Sequence, residues 1–166
     1  RRIGILNNVD ALPATPGRYP GYRSTLERHG LAFNPQYLAT DRPDARAGRE
    51  QALKMLSTAE GPTALFCFSD QVAMGAYQAA AQLGLRIPED LSIISVDNLE
   101  IVAGALWPGL TTMALPHYDM GRWAVTRLLD DIATPARPPE QEVLACPPVS
   151  RGSVGPPPRR PGAVSP

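Results

Sequence analysis

The sequence predicts an α/β fold in which a parallel β-sheet carries helices on both faces. Short apolar runs alternate along the chain with stretches of helical periodicity, which is the pattern of βαβ units. The runs are continuously apolar rather than alternating, as expected for parallel strands that are covered on both sides. The chain has 166 residues, of which 43% are hydrophobic, so it is long and apolar enough to form a real core.

The first strand and helix are separated by a loop rich in proline and glycine. Residues 2–8, RIGILNN, form the predicted strand, and residues 10–20 form the loop. A helix is predicted over residues 19–30. Pro20 suits its first turn, and Gly30 suits the position just after its last turn.

The second strand is predicted at residues 36–40, QYLAT. Asp44 can then cap a helix over residues 45–58, because its carboxylate can accept from backbone N–H groups of the first turn. Gly61-Pro62 breaks this helix, and residues 63–68, TALFCF, form the third strand.

A third helix is predicted to start at Ser69-Asp70 and to end before Gly84. Residues 91–96, LSIISV, form the fourth strand. The core stripe of the helix consists of Val72, Ala73, Ala76, Ala80 and Leu83.

The pattern changes after Asn98, where no clear period is visible until residue 117. Residues 117–132 then form a strongly amphipathic helix, and residues 142–149, EVLACPPV, form a last strand. The tail from Gly155 consists mostly of Pro, Gly and Arg, which is typical of disorder. The apolar stripe of the helix is Met120, Ala124, Val125, Leu128, Leu129 and Ile132.

The composition argues against several functions. Lys plus Arg number 16 and Asp plus Glu number 16, so the chain lacks the basic excess with which a protein grips nucleic acid directly. No apolar run reaches the length of a membrane span. Cys67 fits a buried hydrophobic residue better than a disulfide, and two histidines give no metal-ligand spacing, so we expect neither a metal nor another cofactor. The chain starts without Met, which we interpret as a fragment or a processed chain.

Polar residues follow three of the predicted strands. Asn7 and Asn8 follow the first, Ser69 and Asp70 the third, and Asp97 and Asn98 the fourth, while Arg18 lies in the loop after the first. Ligands of open parallel sheets bind beyond the carboxyl ends of the strands. The mixture of donors and acceptors suits a neutral ligand with several hydroxyl groups, and the sequence therefore predicts a binding site at this edge.

Each of these residues also has a purely structural explanation. Ser69 or Asp70 can cap the helix that follows, and we expect Asp70 to be the cap and Ser69 to face the ligand. Asp97-Asn98 can form a turn, and Arg18 can be a solvated loop residue. Only their shared position at one edge favours a site.

Nothing in the sequence supports catalysis, so we expect a protein that is not an enzyme. Gly-x-Ser-x-Gly is absent around Ser69, and neither a dinucleotide-binding glycine pattern nor a phosphate-binding Gly-Lys-Ser/Thr occurs. A phospho-receiver domain would need an acidic pair after its first strand, where this chain has Asn7-Asn8.

Several segments resemble the LacI/GalR family of bacterial transcriptional regulators, in the ligand-binding part shared with type I periplasmic sugar-binding proteins. The resemblance runs from residue 1 to about residue 157. It is carried by PTALFCFSDQVAMGAYQAAAQLGLRIPEDLSIISVDN, GRYPGYRSTLERHGL, LTTMALPHYDMGRWAVTRLL and PPVSRGSVGPP. This resemblance implies that Arg18, Ser69 and Asp97 contact the effector, with Asn7, Asn8, Asp70 and Asn98 as further candidates.

Some positions depart from the family pattern. Ser69 stands where the family usually has Asn, Ser95 where it has Gly, and Asn98 where it has a second Asp. Pro43 stands where an aromatic residue often stacks on a sugar. The general pocket is retained, and these departures argue against a standard hexose as the effector.

The resemblance also implies how the chain is divided. Residues 1–110 would form the C-terminal lobe of a two-lobed ligand domain, and residues 111–134 a crossover and a helix of the N-terminal lobe. Residues 135–155 would return to the C-terminal lobe, and residues 156–166 would be a disordered tail.

The function that the resemblance implies is effector sensing for a DNA-binding regulator, most simply a repressor. A sugar or a sugar derivative would bind between the lobes of a cytoplasmic homodimer, which would contact operator DNA through a helix-turn-helix domain outside this chain. A sugar-binding protein of a transport system is the alternative, and an enzyme is the third possibility.

Overall fold

The computed structural model describes residues 2–9, 14–134 and 138–158. Strands and helices alternate as predicted, and a short 3₁₀-helix, Pro35–Tyr37, precedes the second strand. The strands are β1 (Ile3–Asn8), β2 (Leu38–Asp41), β3 (Ala64–Cys67), β4 (Ser92–Asp97), β5 (Thr111–Ala114) and β6 (Pro148–Val149). The helices are α1 (Ala14–Arg28), α2 (Ala45–Leu56), α3 (Asp70–Gln82), α4 (Glu100–Ala103) and α5 (His117–Ala133).

The six strands form one sheet in the order β2-β1-β3-β4-β5-β6. Strands β1 to β5 run parallel to one another, and β6 pairs with β5 in the antiparallel direction. The parallel α/β fold is therefore confirmed. The carboxyl ends of β1, β3 and β4 lie at one edge of the sheet, as the predicted site requires.

Helices cover both faces of the sheet, because neighbouring residues of each strand point to opposite sides. Leu6 of β1 packs in a large core with α2 and α3, whereas Ile5 packs on the other side against Tyr22 and Leu26 of α1. Asp44 caps α2 as predicted, with its carboxylate accepting from the Ala47 N–H at 2.8 Å.

The start of α1 was predicted wrongly. The helix begins at Ala14 and contains Pro20 in its interior, whereas the sequence suggested a loop up to Pro20. An internal proline costs a helix one hydrogen bond. Here the helix is also held by packing against β1, where the Tyr22 hydroxyl donates to the Ile3 carbonyl at 2.7 Å. The part of the predicted loop at residues 10–13 lies outside the described residues.

The last third of the sheet also differs from the prediction. Strand β5 was missed because it reads TTMA, and its two threonines are buried with their hydroxyls hydrogen-bonded rather than in apolar contact. The strand expected over residues 142–149 shrinks to Pro148–Val149, and Val143 is 94% exposed. Of the tail predicted to be disordered, residues 159–166 lie outside the described residues.

Helix α5 was predicted with nearly correct ends, yet none of its residues is buried. Its apolar stripe faces solvent, and Leu128 and Leu129 are 58% and 60% exposed. In the part of the chain that the structure describes, no helix combines the length and the apolar character of a membrane-spanning segment.

Candidate ligand-binding edge

Arg18 reaches the carboxyl edge of the sheet from α1. Its guanidinium donates to the Phe68 carbonyl at 2.7 Å and lies over the Phe68 ring, 4.1 Å from the ring centroid. Partial burial lowers the pKa of Arg18, and the nearby charge of Asp97 counteracts this effect. Arg18 is therefore a positioned cation beside the end of β3, and not a loosely solvated side chain.

Ser69 takes the capping role that the sequence suggested for Asp70. Ser69 is the cap of α3, and its Oγ accepts from the Val72 N–H at 3.3 Å. Ser69 is only 7% exposed. A serine hydroxyl that accepts from the backbone can still donate its own proton, so Ser69 keeps one polar contact to offer at the edge.

Asp70 is completely buried and does not cap the helix. Its Oδ1 accepts from the hydroxyls of Ser95 at 2.5 Å and Thr112 at 2.7 Å, and its Oδ2 accepts from the Leu99 N–H at 2.7 Å. A buried carboxylate is stable only when such donors replace water. Asp70 thus joins α3 to β4, to the segment after β4 and to β5.

The chain turns sharply at Asp97 and Asn98, the last candidates along the sequence. Their φ angles are 124° and 58°, in the region that side chains other than glycine rarely adopt. Burial raises the pKa of the Asp97 carboxyl, the charge of Asp70 raises it further, and Arg18 opposes both effects. An anion held at such a cost of desolvation, beside a cation, is typical of a functional site.

Arg151 belongs to this edge although the sequence did not single it out. It donates to the Asn98 side chain at 2.9 Å, to the Glu100 carboxylate at 2.8 Å and to the Leu110 carbonyl at 2.9 Å. The side chain of Asn98 therefore supports the turn. The sequence signal of this role is Arg151-Gly152-Ser153, which lies within PPVSRGSVGPP, one of the segments that carry the family resemblance.

The two asparagines that end β1 lie at the same edge. Asn8 is fully buried. The Oδ1 atom of Asn7 is buried and has no hydrogen-bond partner among the described residues. Such an acceptor is expected to be satisfied by a ligand or by water.

A cavity of about 460 Å³ lies elsewhere, between α1 and the sheet. Ile3, Gly21, Leu26 and Phe66 line it, and its walls are mostly apolar. Its polar side chains are Arg18, Tyr22 and Thr25, which are few donors and acceptors for a sugar.

The edge offers no metal centre in the described residues, where no three His, Cys, Asp or Glu side chains come together. Cys67 is fully buried, and burial raises the pKa of its thiol far above the usual range. A thiol in this state is a poor nucleophile and a poor metal ligand. The chemistry of the edge is hydrogen bonding and charge, as required for reversible binding.

Comparisons with known proteins point in the same direction. The sequence profile of the periplasmic binding protein-like domain matches residues 1–154. The transcriptional repressor CytR of Escherichia coli is 36% identical over 154 residues, which are 93% of this chain and 45% of the repressor. The ribose operon repressor of Haemophilus influenzae is 38% identical over 135 residues, which are 81% of this chain and 40% of that protein.

A solved structure of a LacI family transcriptional regulator from Mycobacterium smegmatis superposes with a TM-score of 0.83 at 29% identity. The match covers 95% of this chain and 58% of that one. The chain therefore spans somewhat less than half the length of the curated relatives that it matches.

Proposed function

The chain belongs to the family of periplasmic binding protein-like domains, in the group of LacI-family transcriptional regulators, and we propose that it senses an effector for a bacterial DNA-binding regulator. The effector is a small polar molecule, a sugar or a sugar derivative. The observation that carries the proposal is the position of Arg18 and Asp97 at the carboxyl edge of the parallel sheet. Arg18 is bonded to the Phe68 carbonyl just after β3, and Asp97 is the last residue of the neighbouring strand β4.

Each residue of the edge has a task in this proposal. Arg18, held in place by Phe68, donates from its planar fork to ligand oxygens, and Asp97 accepts from ligand hydroxyls. The hydroxyl of Ser69 donates a further bond, and the unsatisfied Oδ1 of Asn7 accepts one. Asp70, Asn8 and Asn98 support these contacts from behind the edge rather than touching the ligand.

The lobe described by β1–β4 and α1–α4 would form one wall of the binding cleft. The exposed stripe of α5 supports the assignment of residues 111–134 to a crossover and a helix of the opposite lobe, although β5 still pairs with the sheet of this lobe. The ligand then binds between the lobes and favours their closed state, because it contacts both walls only when they are closed.

Closure would change the affinity for operator DNA through a helix-turn-helix domain outside this chain. The regulator would act as a homodimer in the cytoplasm, where its operator lies. Ile101 and Trp107, on and after α4, are 87% and 93% exposed and offer an apolar surface for association. The repressor names of the relatives favour a regulator over a transport protein and over an enzyme.

The test uses the protein in its full native length and its own operator DNA. D-ribose, D-glucose, a disaccharide and a ribonucleoside are added in turn to a gel-shift assay, and we expect one of them to change the operator affinity. Asp97→Ala should abolish this response and leave operator binding without effector intact. Asp90→Ala is the matched control, since Asp90 is a carboxylate at the opposite end of β4. An unchanged response of Asp97→Ala would refute the assignment.

A further inference from the structure

The turn at Asp97 and Asn98 needs an external constraint. Two consecutive residues other than glycine hold positive φ angles there, and such backbone persists only when its surroundings impose it. Asp97 is also the anion that the proposed effector site depends on. What holds this turn therefore sets where the Asp97 carboxylate lies.

Two buried side chains of the neighbouring elements supply that constraint. Thr112 of β5 accepts the Asn98 N–H at 3.3 Å and donates its hydroxyl proton to Asp70 at 2.7 Å. Asp70 at the start of α3 in turn accepts the Leu99 N–H at 2.7 Å. The Leu99 N–H is thus bonded directly to the buried Asp70 carboxylate, and the Asn98 N–H is linked to it through the Thr112 hydroxyl.

We propose that Asp70 and Thr112 are positioning residues, which hold the backbone of residues 97–99 in its strained form and so aim Asp97 at the effector. This inference rests on the proposed function of the edge. Neither side chain touches the ligand in this account, because both are fully buried.

Asp70 and Thr112 form hydrogen bonds that residues present only to fill space would not form. A buried charge is costly, and an apolar residue would fill the same space without that cost. The three donors that satisfy Asp70 come from β4, from the turn and from β5, so the carboxylate fixes these elements relative to one another. Thr112 has both a donor role and an acceptor role, which valine of nearly the same shape cannot fill.

The experiment compares Thr112→Val with Thr112→Ser in the full-length protein. Valine removes both hydrogen bonds of the hydroxyl and keeps the shape, whereas serine keeps the hydroxyl. Ser153→Ala is the control for lost stability, because Ser153 makes two buried hydrogen bonds, to the Ile93 carbonyl and from the Thr111 N–H, away from the turn. Ser95→Ala serves as a milder change at the same carboxylate should Thr112→Val fail to fold.

Two readouts are recorded. The first is hydrogen exchange of the Asn98 and Leu99 amides relative to the Phe68 amide, which is bonded to the Leu6 carbonyl just after the last residue of β3. The second is the dissociation constant for D-ribose by calorimetry. We expect Thr112→Val to speed the exchange of Asn98 and Leu99 selectively and to weaken D-ribose binding about tenfold, the loss of one well-placed hydrogen bond. Thr112→Ser and Ser153→Ala should stay within about twofold of the unmodified protein.

A purely structural role predicts another result. Thr112→Val and Ser153→Ala would then change exchange throughout the sheet and binding in proportion to their loss of stability, and this would overturn the proposal. Failure of the unmodified protein to bind D-ribose would count against ribose as the effector. The exchange of Asn98 and Leu99 would then decide alone, and an unselective change would overturn the proposal in that case too.

Discussion

Helices α3 and α5 have similar amphipathic sequences and opposite surroundings. The stripe of α3 is buried within the helix, and Ala73 and Ala76 are completely inaccessible to solvent. Leu83 was wrongly predicted to belong to this stripe, since it lies just after the last residue of α3 and is 37% exposed. The stripe of α5 is exposed, from 49% at Met120 to 68% at Ile132. Both helices were predicted from the same periodicity, so periodicity identifies an apolar face but does not show whether its partner lies in the same stretch of chain.

Helix α3 packs against α2, and the sequence signal of this packing is one glycine in each helix. Gly48 of α2 and Gly75 of α3 let the two helices approach so closely that neither position has room for a side chain. A Cβ at Gly75 would lie 2.6 Å from the Arg49 nitrogen, and a Cβ at Gly48 would lie 2.5 Å from the Val72 oxygen. Among the described residues helix α5 has no such neighbour, and a Cβ at Gly121 would meet nothing within 4 Å.

Adding one methyl group to each helix tests most strongly whether α3 is closely packed and α5 is not. Gly75→Ala should destabilise the chain by about 3 kcal/mol, since backbone atoms of α2 must move to make room. Gly121→Ala should be neutral or should stabilise the helix by up to about 1 kcal/mol, through higher helix propensity. Urea denaturation measures both, and equal effects of the two substitutions would contradict the contrast.

The reactivity of the two cysteines tests the same contrast between a packed and an exposed part of the chain. Cys67 lies in the packed sheet, and burial raises the pKa of its thiol, whereas Cys146 is exposed. A thiol reagent at neutral pH should modify Cys146 at least about 100-fold faster than Cys67, because Cys67 reacts only after the sheet opens. Mass spectrometry of peptides at successive times gives both rates, and comparable rates would mean that the sheet is not closed around Cys67.

Self-association of the 166-residue chain should depend on the stripe of α5. Leu129→Glu places a charge within the exposed apolar face and should weaken association about tenfold. Thr126→Glu, an exposed position outside the stripe, is the matched control and should leave association unchanged. Light scattering over a range of concentrations compares the variants, and a monomeric unmodified chain would refute this expectation.

The smallest effect is expected from Asp97 at the carboxyl edge of the sheet, as a change in melting temperature. The pKa of Asp97 is raised in the folded chain by burial and by Asp70, with Arg18 and His117 acting against the rise. The ionised carboxylate therefore costs stability as the pH rises above the unfolded pKa of aspartate, about 4, and costs nothing below it. Asp97→Asn should raise the melting temperature by about 1 to 3 °C at pH 7 and by nothing at acid pH.

The control for this pH dependence is Asp90→Asn. Arg86 lowers the pKa of Asp90 to about 2, so the sign is opposite. Loss of the Asp90 carboxylate should lower the melting temperature at pH 7, and the difference should fade as the pH drops towards 2. A stabilising effect of Asp97→Asn that persists at acid pH would show that relief of backbone strain, and not of charge, is responsible.

The sequence predicted the apolar strands and the capped helices well, because these depend on local patterns. Strands β1, β3 and β4 and the cap at Asp44 lie where expected, and Gly30 and Gly84 adopt positive φ angles just beyond their helices. Long-range hydrogen bonds were not predictable. The missed strand β5 is polar, and the hydroxyl of its buried Thr112 donates a hydrogen bond to Asp70, which lies 42 residues earlier.

The same reason explains the error at Ser69 and Asp70. Both residues can cap a helix, and local rules favour a carboxylate at the helix start. The donors from Ser95, Leu99 and Thr112 decide the outcome by drawing Asp70 inward, and they are contributed by β4, by the segment after it and by β5. Arg151 was overlooked because it reaches Asn98 from 53 residues away.

Hydrogen exchange of the full-length protein with and without effector tests the central claim most directly. If the ligand binds at the carboxyl edge, amides near Asn7, Ser69 and Asp97 should gain protection on addition of the sugar that changes operator binding. Residues 21–26 of α1, which line the apolar cavity, should not change. Protection confined to that cavity, or equal everywhere, would contradict the account.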